Sequence, residues 1–255
     1  MPYSYYITPV IDNGVLKWPK AGCVPIAAAQ VISSTMFHKN KWGFPNITAT
    51  DGTVYEIDWL NILRSVTDTV KYSTAQVTIG SKAIAKLVRA IGACTNIEYG
   101  LELSAADTNL IPALYTQLGF QNSSVIDFSK DVVYDMIVNN QTPVYSRAIN
   151  YYAENGTNGH AFVLDGLLRL QYTTDIYLAN PITGQITGEV FPHQSTFDLI
   201  HCNFGGGGTS DGYYTPGAFD LLSTEFWEYN EPDDIPYADL KNYNTMVKII
   251  PFELQ

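Results

Sequence analysis

One cysteine, Cys23, stands at the predicted start of a long apolar helix and could act as a nucleophile. It is preceded by Gly22 and followed by Val24-Pro25-Ile26-Ala27-Ala28-Ala29. Proline is tolerated in the first turn of a helix, where its missing N–H costs nothing, so we expect Cys23 at or just before the helix N-terminus. The positive end of the helix dipole favours the thiolate form of a thiol placed there. The alternative is a buried cysteine that only fills space in the core.

A nucleophilic thiol needs a base, and four histidines compete for that role: His38, His160, His193 and His201. His38 lies at the far end of the predicted helix, about 22 Å from Cys23 at 1.5 Å of rise per residue. His193 is expected in a surface loop. His160 follows a Gly- and Asn-rich loop that ends at Gly159, and it begins a strongly apolar strand. We therefore predict that His160 is the base.

The base in turn needs a group that holds its second ring nitrogen. Asn203 and Asn180 each follow a predicted strand, and the residues alone do not decide between them. Phe204 follows Asn203, and its ring could shield an Asn–His hydrogen bond from water. The remaining cysteines, Cys94 and Cys202, have no such setting and are expected to be buried.

Composition excludes several classes of partner. The 255 residues carry a net charge of −11, which disfavours nucleic acid and anionic membrane surfaces. No apolar run approaches the roughly 20 residues that span a bilayer. The three cysteines match no zinc-ligand spacing, and the predicted chemistry requires neither a metal nor a cofactor. The first six residues show no signal peptide.

Helical patterns dominate the first half of the chain and strand patterns the second. Four helices are predicted: one from Val24 to Phe37, one capped by Ser81 and stopped by Gly92, one before Gly119, and one from Ser129 to Asn139-Asn140. Six strands are predicted, at 144–149, 160–168, 175–178, 199–204, 212–214 and 246–251. This order favours a single α+β domain over 1–255, with a mostly antiparallel sheet and a cleft between the two halves.

Three ordered blocks of sequence resemble the streptopain family of papain-like cysteine peptidases. They are Gly22-Cys23-Val24 running into Ala29-Gln30-Val31, Gly159-His160-Ala161-Phe162-Val163-Leu164-Asp165-Gly166, and His201-Cys202-Asn203-Phe204 with the glycine-rich segment up to Tyr214.

The resemblance implies a papain-like two-part fold and a cysteine endopeptidase. By it Cys23 is the nucleophile, His160 the base and Asn203 the residue that orients the imidazole, with Gly22, Gly159 and Phe204 in supporting roles. It further implies a secreted bacterial enzyme that acts on proteins or peptides, accepts an apolar residue at the second position before the cut and is made with an inhibitory propeptide.

The chain departs from the family pattern at three places. Phe204 replaces the usual tryptophan, and residues 170–191 predict an added hairpin near the cleft. The family's oxyanion-hole glutamine has no counterpart before Cys23, where Trp18 is followed by Pro19. Loss of one oxyanion donor costs roughly 10²–10³ in rate. The missing glutamine suggests that the sequence lacks its signal peptide, its propeptide and the start of the mature enzyme.

These departures leave two other functions open. One is a degenerate relative that binds peptides or proteins without cleaving them. The other is an acyl-transferring relative that acts on cell-wall or bacteriocin peptides.

Overall fold

Helices fill most of the first half of the chain. The computed structural model describes residues 4–67, 78–149, 159–205, 210–217, 219–220, 242–243 and 245–254. Five α-helices are found within these residues: α1 Cys23–His38, α2 Trp59–Thr67, α3 Ile79–Cys94, α4 Ile111–Gln117 and α5 Lys130–Tyr134. A 3₁₀ turn, Thr108–Leu110, leads into α4, and a π-helical turn, Asp135–Asn139, extends α5.

Helix α1 lies at the centre of the fold. Apolar residues occupy nearly all of its faces, and Val31, Ile32 and Met36 are fully buried. It packs against α3 on one side and against the main sheet on the other. A helix that is apolar all round is stable only in such an interior position. The prediction of a central helix with Cys23 at its N-terminus is confirmed.

Helix α3 differs at both ends from its prediction. Its cap is Thr78, whose hydroxyl accepts from the Ser81 N–H at 3.1 Å, and the helix continues to Cys94. Gly92 therefore lies inside the helix. A Cβ at Gly92 would come within 2.5 Å of Tyr99 Oη, so this glycine allows close packing and does not end the helix.

Of the remaining helices, α4 and α5 were predicted from the sequence and α2 was not. Helix α4 ends just before Gly119, and α5 begins after Ser129, whose hydroxyl accepts from the Val132 N–H, both as predicted. Asp58 precedes α2 and accepts from the Asn61 N–H at 3.2 Å, the bond of a helix cap.

The second half of the chain forms one six-stranded sheet. Its members are β6 Ile126–Asp127, β7 Val144–Ile149, β8 Gly159–Ala179, β9 Ile186–Asn203, β10 Gly212–Tyr214 and β13 Thr245–Ile250. Their order in space is β10-β9-β8-β7-β13-β6, and every neighbouring pair is antiparallel. The predicted antiparallel sheet is therefore present.

In the described ranges, four two-stranded sheets lie outside the main sheet. They pair β1 Val10–Asp12 with β2 Val15–Lys17, β3 Ile47–Thr48 with β4 Val54–Tyr55, β5 Phe120–Gln121 with β14 Glu253–Leu254, and β11 Phe219–Asp220 with β12 Asn242–Tyr243.

Strands β8 and β9 form a hairpin much longer than the strands that were predicted. The predicted strands 160–168 and 175–178 are parts of one strand, β8, and the predicted strand 199–204 is the end of β9. Residues 171–174 carry threonine and tyrosine, which favour strands, and contain no glycine or proline to break one. The added hairpin expected at 170–191 is the outer part of this element. Asp198 fixes its base by pairing with Arg169 and Lys130, each at 2.6 Å.

The helices and the sheet meet so that the start of α1 faces the start of β8. Cys23 and His160 therefore lie at the junction of the two halves. Within the described residues, no helix combines the length and the apolar character that crossing a bilayer demands.

Candidate active site

The thiol of Cys23 belongs to the first residue of α1. Gly22, just before it, has φ 87° and ψ 142°, a backbone conformation that residues with a Cβ rarely adopt. A Cβ at Gly22 would also lie 2.8 Å from Ile97 Cδ1. Two independent constraints thus require glycine at this position. The backbone at the helix start is thereby fixed, and the Cys23 side chain is directed toward the sheet.

His160 lies next to this thiol because β8 begins beside the helix N-terminus. Strand β7 supports it from the other side, with Ala148 directly opposite His160 in the antiparallel register. The Cys23 thiol and the His160 imidazole are hydrogen-bonded to each other. The structure therefore brings together two residues that are far apart in sequence.

The environment of the Cys23 thiol favours its ionised form. Burial by itself would raise the pKa, but the hydrogen bond to His160 and the charge of its ring act in the opposite direction. Hydrogen bonds from the N–H groups of Ala161 and Val24 add to this effect, and the net pKa lies below the ordinary value of 9.0. A thiol of lowered pKa is a nucleophile near neutral pH.

The second nitrogen of His160 faces a main-chain oxygen. Nε2 lies 2.9 Å from the carbonyl oxygen of Phe204. A carbonyl oxygen only accepts, so Nε2 carries the proton in this contact. The Phe204 ring is almost fully buried, and its centroid lies 6.0 Å from that of the His160 ring at an angle of 19°. Phe162 lies 4.9 Å from the Phe204 ring and completes an apolar wall beside the imidazole.

The side chain of Asn203 makes different hydrogen bonds from those expected. Its Oδ1 accepts from Gln30 Nε2 at 3.1 Å and from the Gly205 N–H at 2.9 Å. The amide of Asn203 therefore links the end of β9 to α1 and closes a turn in which Gly205 has φ 73°. That turn carries the Phe204 carbonyl which faces His160. Asp211 Oδ1 accepts from the Phe204 N–H at 2.8 Å and holds the preceding peptide of the same turn.

Asn180, the alternative orienting residue, lies at the tip of the long hairpin. Its Oδ1 accepts from the N–H groups of Ile182 and Thr183, as in an ordinary turn. The strand between His160 and Asn180 is about 60 Å long at 3.3 Å per residue. This distance excludes contact between them.

The other histidines and cysteines lie away from the dyad. His38 ends α1, His193 is an exposed residue of strand β9 and not of a loop, and His201 Nδ1 pairs with Asp165 Oδ1 at 2.5 Å. Cys94 and Cys202 are both buried, as predicted. Burial raises the pKa of Cys94 to about 11 and the pKa of Cys202 well above its ordinary value.

A cavity of about 310 Å³ opens directly beside the dyad. Gly159 lines it, and a Cβ there would meet only Ala148 O, at an ordinary 3.5 Å. Gly22 is thus the tightly constrained glycine of the site. Two further residues were missed from sequence: Gln30, which fixes Asn203, and Arg147, which lines the cavity.

The sequence match agrees with this geometry. A family model described as the peptidase C10 family matches residues 1–214, which is most of the chain. The chain belongs to the peptidase C10 family. This is the streptopain family, so the resemblance drawn from the three sequence blocks is confirmed, and the C10 chain is a cysteine-type peptidase.

The fold of this C10 peptidase is also found among solved structures. The structure of active wild-type interpain A, a cysteine protease of Prevotella intermedia, matches with a TM-score of 0.57 and 19% identity. The match covers 98% of this chain and 88% of the interpain A chain. It confirms the predicted α+β class. No curated protein sequence gives a significant match.

Proposed function

We propose that this C10 peptidase hydrolyses peptide bonds through Cys23 and His160. The observation that carries the proposal is the hydrogen bond between the two side chains, which holds the Cys23 pKa below its ordinary value despite burial. The Cys23 thiolate attacks the scissile carbonyl carbon, and protonated His160 gives its proton to the leaving amine. The resulting thioester is cleaved by a water molecule that His160 deprotonates, which restores the thiol and releases the acid.

The Phe204 carbonyl and Asn203 are proposed to position the imidazole. With Nε2–H donating to Phe204 O, Nδ1 is the nitrogen that exchanges a proton with the sulfur. The Asn203 Oδ1 accepts from Gln30 Nε2 and from the Gly205 N–H. Asn203 acts through the turn Asn203-Phe204-Gly205, which its Oδ1 closes. The proposed role of Asn203 as an orienting residue is therefore kept, but it is indirect.

Stabilisation of the oxyanion is assigned to the Cys23 backbone N–H, which lies at the start of α1 and has no partner within the helix. Gln30 does not serve here, because its Nε2 is bonded to Asn203.

Family membership supports the remaining parts of the proposal. Proteins or peptides are the proposed substrates. An inhibitory propeptide is proposed from the streptopain resemblance alone. Secretion from a bacterial cell is proposed on the same basis.

The proposal is tested with wild type, Cys23→Ala and a control variant, Cys94→Ala, which removes a buried thiol outside the site. Wild type and the control should cleave casein or a quenched fluorescent peptide library, and Cys23→Ala should not. Acid quenching during turnover should trap an acyl adduct on Cys23 that mass spectrometry detects.

Peptide binding by wild type without any turnover would instead favour the non-cleaving function. Transfer of the acyl group to an added amine, in preference to water, would favour the acyl-transferring one.

A further inference from the structure

The cavity beside the dyad is placed to receive a side chain of the substrate. Its wall includes both Cys23 and His160, so a group bound in it belongs to a residue near the bond under attack. The rest of the wall comes from the segment between α3 and α4 and from strands β7, β8 and β13. A volume of about 310 Å³ is ample for one side chain.

Two cations share this wall. Arg147 on β7 and Lys248 on β13 are directly opposite each other in the antiparallel register, so their side chains leave the same face of the sheet. Ala161, the residue after His160, lies opposite Arg147 on the other neighbouring strand, and it also lines the cavity. Like charges in directly opposed positions destabilise a sheet unless other groups offset them.

Within the part of the chain that the structure describes, the charge of Lys248 is offset by a carboxylate, but that of Arg147 is not. Lys248 Nζ lies 2.5 Å from Asp127 Oδ1. To the described residues, the guanidinium of Arg147 makes a 3.4 Å contact from Nη2 to Asn109 Oδ1, and its buried Nε has no hydrogen-bond partner among them. Among the described residues, no carboxylate lies within ion-pair distance of Arg147.

One acidic residue, Asp107, also lines the cavity. It is exposed, and its Oδ1 accepts from the Asn109 N–H at 2.9 Å at the start of the 3₁₀ turn. It does not pair with Arg147. Counting the described residues, the half-buried face of the cavity therefore carries a positive charge that no carboxylate offsets, in a chain whose net charge is −11.

We propose that this cavity binds an aspartate or glutamate side chain of the substrate, with Arg147 as the residue that selects it. The inference rests on the proposed peptidase function and specifies its substrate. A carboxylate supplies the anionic acceptor that the Arg147 guanidinium lacks among the residues described, and Arg binds carboxylates in a fork geometry. The long-range field of the acidic chain repels such a substrate, so the preference is local to the cavity. It differs from the apolar preference that the streptopain resemblance implies.

The test measures how fast inhibitors of different charge react with Cys23. N-acetyl dipeptidyl fluoromethyl ketones carry Glu, Gln or Leu at either the first or the second residue before the reactive group. Second-order rates of Cys23 modification are followed by mass spectrometry, which needs no turnover of peptide. At one of the two positions, the inhibitor with Glu should react about tenfold faster than the one with the isosteric Gln. This ratio corresponds to the free energy of one hydrogen bond to a charged group.

Variants assign the preference to Arg147. Arg147→Gln should reduce the ratio of Glu to Gln rates to below about twofold, and Arg147→Lys should restore part of it. Lys17→Gln is the matched control, because it removes one positive charge from an exposed residue that pairs with Asp12 outside the cavity. Its ratio should equal that of wild type.

Three results would overturn the proposal: equal Glu and Gln rates in wild type, faster reaction of Leu at both positions, or an unchanged ratio in Arg147→Gln. If Arg147→Gln does not fold by circular dichroism, Arg147→Met replaces it, and an unchanged ratio there has the same meaning. Failure of every inhibitor to modify Cys23 is a distinct outcome, which would contradict the proposed nucleophile and the substrate inference with it.

Discussion

Replacement of Asn203 by alanine should lower the stability of the fold more strongly than it lowers the reactivity of Cys23. The substitution removes the acceptor of two half-buried donors, Gln30 Nε2 and the Gly205 N–H. At about 1 kcal/mol for each donor, the free energy of unfolding falls by about 2 kcal/mol. In a chain of 255 residues this lowers the melting temperature by about 4–8 °C.

The assay combines thermal unfolding, followed by circular dichroism, with the rate of Cys23 alkylation at 20 °C. Asn203→Asp keeps an oxygen acceptor and should lose less stability than Asn203→Ala. Gln30→Leu removes one of the two hydrogen bonds, together with a buried Oε1 that has no hydrogen-bond partner, and should also lose less. In folded Asn203→Ala, alkylation should stay well above that of His160→Ala.

The opposite pattern would refute this account of Asn203. If Asn203→Ala melts like wild type while its Cys23 alkylation falls as far as in His160→Ala, then Asn203 acts on the imidazole directly. The Phe204 carbonyl would then not be the partner that matters.

Two further predictions concern the start of α1 and the choice among thiols. Gly22→Ala should destabilise the protein by about 1–3 kcal/mol through its positive φ, measured by calorimetry. Gly52→Ala has a similar φ of 84° but an open surrounding, so it should cost less, and equal losses would contradict the role of the 2.8 Å contact at Gly22. Iodoacetamide at pH 7 should modify Cys23 and spare Cys94 and Cys202, because burial raises the pKa of the latter two; peptide mapping that finds equal labelling would count against it.

The sequence was sufficient for the parts of the fold that have a strong periodic pattern. Strand β7 has the predicted boundaries, and helix α1 extends one residue beyond its predicted boundaries at each end. Errors arose where a tertiary contact overrides a local signal. Gly92 was taken as a helix stop, but it lies within α3 because Tyr99 packs against it. Strand β8 was predicted as two separate strands, 160–168 and 175–178. The residues of its outer part are polar and exposed, which weakens the alternation that identifies a strand.

The site was predictable only as far as side-chain chemistry reveals it. Cys23 and His160 were identified from residue type and setting, and the structure brings them together. The acceptor of the His160 Nε2 proton is a main-chain oxygen, and every residue has one, so no residue type reveals it. Arg147 was missed for another reason: only the register of β7 with β13 places it beside Lys248 in the cavity.

The pH dependence of Cys23 alkylation in wild type and in His160→Ala tests the central claim most directly. Alkylation by neutral iodoacetamide rises as the thiol ionises, so the midpoint of the profile reports the pKa of Cys23. In wild type the midpoint should lie below 9.0. Without the imidazole, burial opposes ionisation, and the midpoint should move up toward the ordinary value or beyond it. At a pKa of 9.0 only about 1% of the thiol is ionised at pH 7. The same midpoint in both proteins would contradict the claim that His160 activates the thiol.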